Sequence, residues 1–470
     1  MTEVTGPTGC QTRYWYDSVP RLTGITDPNG YGTSYSYDAA GRVSSRRIAG
    51  VGTTFYDYSG NQMVRTDALG VVVTHSLDSN GQIVGLADAA GGRLTITRNN
   101  RGQETSRQNA LGAITTTLYD SSGTMPVGNI DPLGHITTIQ RDSFNNPTAI
   151  ITADGAVTTF IWGFAESSFD TTGAKRRLQA RVDALGNTTS YAYNARGQLT
   201  VVQDALGAIT SYGYDNLGNH ISTMNPLGAV MTNLYDAAGN VIEIVDVLGN
   251  RRTNTYDPQN RLLSTTDPLG NLMIMAYDGV GNKILKINAL GYRTSYSYNA
   301  FDRLSSVQDA LGHVTTIVYD AVGRSIAQID ALGNRSTTIY DVTGRIAAVE
   351  DALGNRTTTV YDGTGRPHAT VDALGRRTTT IYDLTGRRIT IVDALGNHST
   401  TVYDVVGRPV AAVDPLGHAN TTVYDLTGRI TARVDALGQR TSFHYDAASQ
   451  QLSVQDARGH FFTTVYDAAG

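Results

Sequence analysis

Residues 340–360 read YDVTGRIAAVEDALGNRTTTV. The stretch holds two motifs of one kind, Asp341-Val-Thr-Gly344 and Asp351-Ala-Leu-Gly354. Aspartate at the first position of a turn accepts a hydrogen bond from the backbone two residues on. Glycine at the fourth position suits a type I turn followed by a left-handed step. Elsewhere Pro132, Pro226, Pro268 and Pro415 replace the alanine of the second motif. Proline there matches the fixed φ of a type I turn. Removing two four-residue turns from the 21 leaves 13 residues, enough for two strands of six or seven. Each would be ~20 Å long. The run Asn355–Tyr361 is β-branched and aromatic, which favours strand over helix. Alternation puts Thr357, Thr359 and Tyr361 on one face and Thr358 and Val360 on the other. Both faces are half apolar, so which one lines a lumen stays open.

The stretch is one copy of many. A tyrosine recurs every 21 residues from Tyr193 to Tyr466, and an Asp or Asn does so from Asp183 to Asp456. In consecutive units the repeat positions are Tyr319, Asp320, Gly323, Arg324, Asp330 and Gly333, then Tyr340, Asp341, Gly344, Arg345, Asp351 and Gly354. The next unit supplies Tyr361, Asp362, Gly365, Arg366, Asp372 and Gly375. The N-terminal part keeps the beat loosely, with Tyr16, Tyr37, Tyr56, Leu77, Arg98, Tyr119, Arg141 and Trp162 at the tyrosine position. The step from Trp162 to Tyr193 is 31, so some ten extra residues enter there. The chain divides into degenerate repeats (1–162), an irregular insertion (163–182) and regular repeats (183–470). The insertion, with Lys175-Arg176-Arg177, reads as a solvated loop, a partner-docking loop being the alternative.

Turns this short join antiparallel neighbours, so each unit is a hairpin. About 42 such strands at ~4.8 Å would make a sheet ~200 Å wide, and strand twist forces that width to coil. The fold expected is all-β: tandem hairpins in one antiparallel sheet, coiled into a spiral, tube or shell. A parallel β-solenoid with one 21-residue coil per turn is the alternative.

Composition agrees with turns and short strands. Fifty of 470 residues are glycine, 26 of 37 aromatics are tyrosine, and only 17% are charged. No apolar run reaches the ~18 residues of a membrane helix. A net charge of −5 gives no footing on a nucleic-acid backbone. Cys10 stands alone, which rules out an intrachain disulfide. The N-terminal MTEVTGPTGCQTRYW has neither the basic nor the apolar region of a signal peptide.

The unit Tyr-Asp-x-x-Gly-Arg followed by Asp-(Ala/Pro)-Leu-Gly resembles the YD repeat of rearrangement-hotspot (Rhs) proteins. These are related to wall-associated toxins, the B and C components of Tc toxins, and teneurins. The resemblance covers nearly the whole chain. It implies a hairpin sheet spiralling into a hollow shell, which in bacteria encloses a C-terminal toxin domain until delivery. The partners implied are that toxin domain and further shell segments, in a secreted or cell-surface parent. The core-end segment and toxin domain of the family are not in the sequence, so a fragment of a larger protein is expected. A cell-surface adhesion or carbohydrate-binding repeat protein is the second functional reading.

No catalytic, cofactor or metal residues are expected. The aspartates sit at turn positions in every unit, whereas catalysis needs one perturbed pair in a pocket. The tyrosines should stack ~10 Å apart on successive hairpins, with other side chains filling between them. They read as a structural ladder, with an aromatic surface for sugars as the alternative. Arg324, Arg345, Arg366, Arg387, Arg408 and Arg429 follow turn glycines and can reach their own turn aspartate. Their expected role is a charge register against mispairing. His135, His313, His418 and His460 follow turn glycines, His398 sits one place on, and all read as scattered surface residues.

Overall fold

The computed structural model describes residues 1–5, 11–27, 30, 32–49, 51–164 and 176–470. Within them lie 44 strands and no helix, all in one antiparallel sheet. Each strand pairs with its neighbours in sequence, as Ile346–Glu350 does with Arg335–Tyr340 and Arg356–Tyr361. This is the hairpin sheet, and it excludes the parallel solenoid. Lone Cys10 and Lys175 lie outside the described residues.

The unit divides differently from the sequence arithmetic. Strands are five and six residues long, as in Ile346–Glu350 and Arg356–Tyr361, and each turn takes five residues rather than four. The fifth residue belongs to the turn because it closes it: Asp341 N–H bonds Arg345 C=O, and Asp351 N–H bonds Asn355 C=O. Gly344 and Gly354 have φ of 86° and 82°, so each turn is type I plus a left-handed glycine. That bulge restores the right-handed twist a plain type I turn would oppose. A second bulge recurs once per unit, where Val360 faces Ala369 but Tyr361 faces Pro367.

The insertion is narrower than 163–182. Val157–Phe164 and Arg176–Val182 pair as one long hairpin, Gly163 opposite Arg177 and Phe164 opposite Arg176. Of the inserted segment only 165–175 lie outside the description. The alternation of Arg176–Val182 simply extends the strand, which the broken 21-residue beat concealed.

The sheet winds past its own beginning. The second-motif turn at 67–70 meets the first-motif turn at 341–344, where Leu69 and Val342 line one hollow. Gly92 abuts Gly363, and Asp154 pairs with Arg408. Twenty-five strands separate turns 67–70 and 341–344, and 23 separate 152–155 and 404–407. One circuit therefore takes about 24 strands, which at ~4.8 Å each gives a girth of ~115 Å and a diameter of ~37 Å. Successive courses touch through their turns.

The wall is one layer thick. The buried apolar residues described are Ile96 and eight alanines, and no described polar residue is buried. Ala348, 1% exposed, sits mid-strand directly opposite Ile339 on one side and Thr358 on the other. Total accessible surface is 27,050 Å² for 50.3 kDa. A compact monomer of that mass exposes roughly 17,000 Å². The excess is the signature of a sheet wetted on both faces.

Candidate functional site

The chemistry-bearing side chains gather in the turns, and where arginine follows the first-turn glycine, as at Arg324, Arg345, Arg366, Arg387, Arg408 and Arg429, that turn builds a clamp to the next unit. Asp362 Oδ1 accepts the Thr364 and Arg366 amides at 2.9 and 3.0 Å and the Thr364 hydroxyl at 2.7 Å. Its Oδ2 accepts Arg366 Nε at 2.7 Å. The Arg366 guanidinium lies 4.5 Å from the centre of the Tyr382 ring, one unit on, and Nη1 donates to the Asp383 carbonyl at 3.4 Å. The Tyr382 hydroxyl donates back to Pro367 C=O at 2.7 Å. Each arginine thus touches its own turn, the next tyrosine and the next turn. The same stacking joins Arg324 to Tyr340, Arg345 to Tyr361, and Arg429 to Tyr445. The filler between tyrosines is therefore the arginine, a link that the charge-register reading lacked.

Three degenerate units keep the bond with other donors. Trp162 Nε1 reaches Pro147 C=O at 2.7 Å, and Arg98 and Arg141 donate Nε to Ile83 and Pro126 C=O, each at 3.2 Å. The sequence showed these residues at the tyrosine position; that Tyr, Trp and Arg share a long reach to an N–H or O–H donor was the signal available.

The second turn is simpler. Asp351 Oδ1 accepts the Leu353 and Asn355 amides, and Oδ2 accepts Asn355 Nδ2 at 2.8 Å. Asp330 repeats this with Asn334, and Asp372 with Arg376. His135, His313, His418 and His460 take the asparagine's place, each with Nδ1 within 3.0 Å of its turn aspartate.

These bonds hold the turn carboxylates ionised. Burial pushes Asp341 up, but hydrogen bonds from Thr343 and Arg345 overcome it and bring its pKa to about 2. Asp320, Asp362, Asp383, Asp404 and Asp425 are lowered too, burial opposing their turn partners in each. The carboxylates of these six aspartates are held by hydrogen bonds from their own turns. Among the described residues no three His, Cys, Asp or Glu side chains come together as a metal site.

The RHS Repeat family model matches residues 16–54, 177–209, 193–230, 235–272, 277–316, 319–356, 361–398, 382–419 and 424–460, which together exceed half of the chain. No curated protein matches. Among solved structures, the TcdB2-TccC3-TEV crystal structure superposes with a TM-score of 0.68 at 14% identity, over 95% of this chain and 33% of that one. TcdB2-TccC3 gives 0.61 at 13% identity, over 97% and 30%. A Photorhabdus luminescens Tc holotoxin pore gives 0.57 at 14% identity, over 97% and 27%. The chain spans about a third of the length of these structures, and the likeness is one of fold.

Proposed function

The chain belongs to the RHS-repeat family, and from that premise we propose that it is a non-catalytic wall segment of a hollow shell that encloses and delivers a toxin domain of a larger, secreted bacterial protein. The observation that carries this is the combination of a one-layer wall with courses that close on each other at Asp154 and Arg408. A wall that exposes both faces yet winds past its own start serves to bound a volume. The turn carboxylates, held by their own turns, support a scaffold rather than an enzyme. No helix among the described residues is long and apolar enough to cross a membrane.

The adhesion reading draws less support. From Tyr340 to Tyr445 the tyrosine hydroxyls donate to the backbone and an arginine stacks on one face of the ring, as at Tyr361 and Tyr382. An exposed sugar platform needs a free ring face.

The test is a protease-sensitive reporter polypeptide fused after Gly470. Enclosure predicts cleavage slowed at least about tenfold relative to the free reporter, since buried chain must open before it is cut. Equal cleavage rates would sink the container reading, and binding on a glycan array would favour adhesion.

A further inference from the structure

The residue that opens the strand after each second turn changes character along the chain. In the first course it is mostly apolar, as at Ile114, Ile136, Val157, Ile209 and Val230. Later it is arginine or histidine in six of eight consecutive units: Arg293, Arg335, Arg356, Arg377, His398 and Arg440. All six open a six-residue strand, and the same place in equivalent strands lies on the same face of the sheet. It is the face of Thr358 and Val360. The place is open even where the next course lies against the preceding turn. Ile114, Ile136 and Val157 are 41% to 46% exposed, although Leu111 meets Gly363, Asp131 shares a hollow with Arg387, and Asp154 pairs with Arg408. Exposure of the six basic residues therefore belongs to the sheet face.

The guanidinium groups are held but not neutralised. Arg293 Nε donates to Ser295 Oγ at 3.1 Å, Arg377 Nε to Thr379 Oγ1 at 3.4 Å, and Arg440 Nε to Ser442 Oγ at 3.3 Å. Each bond runs along the arginine's own strand and leaves both Nη groups without a partner among the described residues. The strands from Arg293 to Tyr445 carry seven arginines and one carboxylate, Glu350. Glu350 stands opposite Arg356, and among the described residues no ion pair joins them. The aspartates that make the net charge negative sit in the turns. A chain of net charge −5 can therefore present one cationic face.

Equivalent strands lie two spacings apart, which sets the arginines at a pitch of ~10 Å. From Arg335 to Arg440 the row crosses ten strand spacings, ~48 Å. With about 24 strands to a circuit, that is some two fifths of a turn, so the row is an arc. A flat anionic bilayer meets an arc at one or two places, whereas a flexible chain can follow it. A chain whose charges are closer than the pitch can set one beside every arginine, and it releases its counterions in doing so. Guanidinium forks match phosphate oxygens bidentately. Condensed phosphate has the densest charge of the common linear polyanions. We propose that this face binds a flexible polyphosphate chain laid along the arc from Arg335 to Arg440. The inference goes beyond the shell reading and does not depend on it, because it requires the sheet face and not an enclosed volume.

Isothermal titration calorimetry tests it with inorganic polyphosphate long enough to span ~50 Å, with tripolyphosphate, single-stranded DNA and polyglutamate alongside. The long chain should bind at least about 100-fold more tightly than tripolyphosphate, since each further arginine engages a chain already tethered. Arg335→Gln, Arg356→Gln and Arg377→Gln together should weaken it at least about tenfold and lower the slope of log K against log salt by about 2. Arg46→Gln, Arg101→Gln and Arg252→Gln together remove the same charge from exposed places off the row, and should alter affinity by less than about twofold. Glu350→Gln, which removes the opposing charge, should tighten binding by about twofold or more, a gain that unfolding cannot mimic. No saturable heat with polyphosphate, equal losses from the two triple variants, or tripolyphosphate binding as tight as that of the long chain would each overturn the proposal. Tighter binding of polyglutamate or single-stranded DNA at the same salt would overturn it too, since the occupant would be another polymer. Reporter cleavage tests the container reading separately, and none of these titrations moves it.

Discussion

Asp154 and Arg408 lie 254 residues apart and are joined by a 3.0 Å ion pair between successive courses of the sheet. Arg408 keeps its other contacts at the same time: Nε on Asp404 at 2.6 Å, Nη1 on the Asp425 carbonyl at 3.1 Å, and the plane over Tyr424. One arginine thus ties neighbouring hairpins along a course and one course to the next. Both partners are largely shielded, with side-chain exposures of 25% and 15%, so screening weakens the pair less than it would a surface bridge.

A double-mutant cycle of Asp154→Asn and Arg408→Ala should give a coupling of about 0.5–1.5 kcal/mol. Because repeat arrays need not unfold in one step, hydrogen exchange at the two turns is the appropriate readout. Zero coupling would mean that the courses are apart in solution.

The arginine clamp predicts an asymmetry between two conservative changes. Arg366→Lys keeps the charge but loses the planar face over Tyr382 and the reach to Asp383, and should cost about 1–2 kcal/mol. Arg356→Lys, at an exposed strand position, should change stability by less than ~0.5 kcal/mol. Tyr382→Phe should lose about 0.5–1.5 kcal/mol with its hydroxyl bond. Hydrogen exchange at the turns of the three variants checks this, and equal losses for the two lysine variants would contradict the clamp.

The 21-residue beat made two short strands and two turns per unit legible from sequence, because turn chemistry and strand alternation are local, whereas the choice of antiparallel hairpins over a parallel solenoid rested on the family resemblance and was decided by the observed pairing. The number of strands per circuit was not legible. It depends on the summed twist and bulge of some two dozen strands, and the contacts that register it, such as Leu69 with Val342, are far apart in sequence. Arg366 could be paired with Asp362 from spacing alone, whereas its stacking on Tyr382 needed the geometry of two hairpins side by side.

The turn glycines make a sharper test than their number. Gly333 has a φ of 84° and nothing within 4 Å of where a Cβ would stand, so only backbone conformation opposes a side chain there. At the equivalent step of other turns the chain itself uses Asn145, Asn260, Asp302 and Ser449 with φ from 55° to 71°. Gly333→Asn should therefore cost well under the ~1–2 kcal/mol expected for Gly333→Val, since short polar side chains tolerate the left-handed region and β-branched ones do not. Thermal melts of the two variants decide it, and equal losses would mean that the turn relaxes to another type.

Acid should dismantle the clamps in a defined window. The folded pKa of Asp341 is about 2, against 3.8 as its ordinary value, and five equivalent aspartates are lowered with it. A carboxylate depressed by folding contributes stability that is fully present above its unfolded pKa and is lost as pH falls through the folded one. The array should therefore hold its strand signal down to about pH 4 and lose stability progressively towards pH 2. Asn194 and Asn299 already fill the same turn position and accept the same backbone amides without titrating. Replacing Asp320, Asp341, Asp362, Asp383, Asp404 and Asp425 by asparagine should then lower stability at neutral pH, where the arginine pairs are lost, and flatten its fall below pH 4. Urea midpoints measured from pH 6 to pH 2 for both chains follow this directly. An unchanged acid slope in the asparagine variant would show that these carboxylates do not carry it.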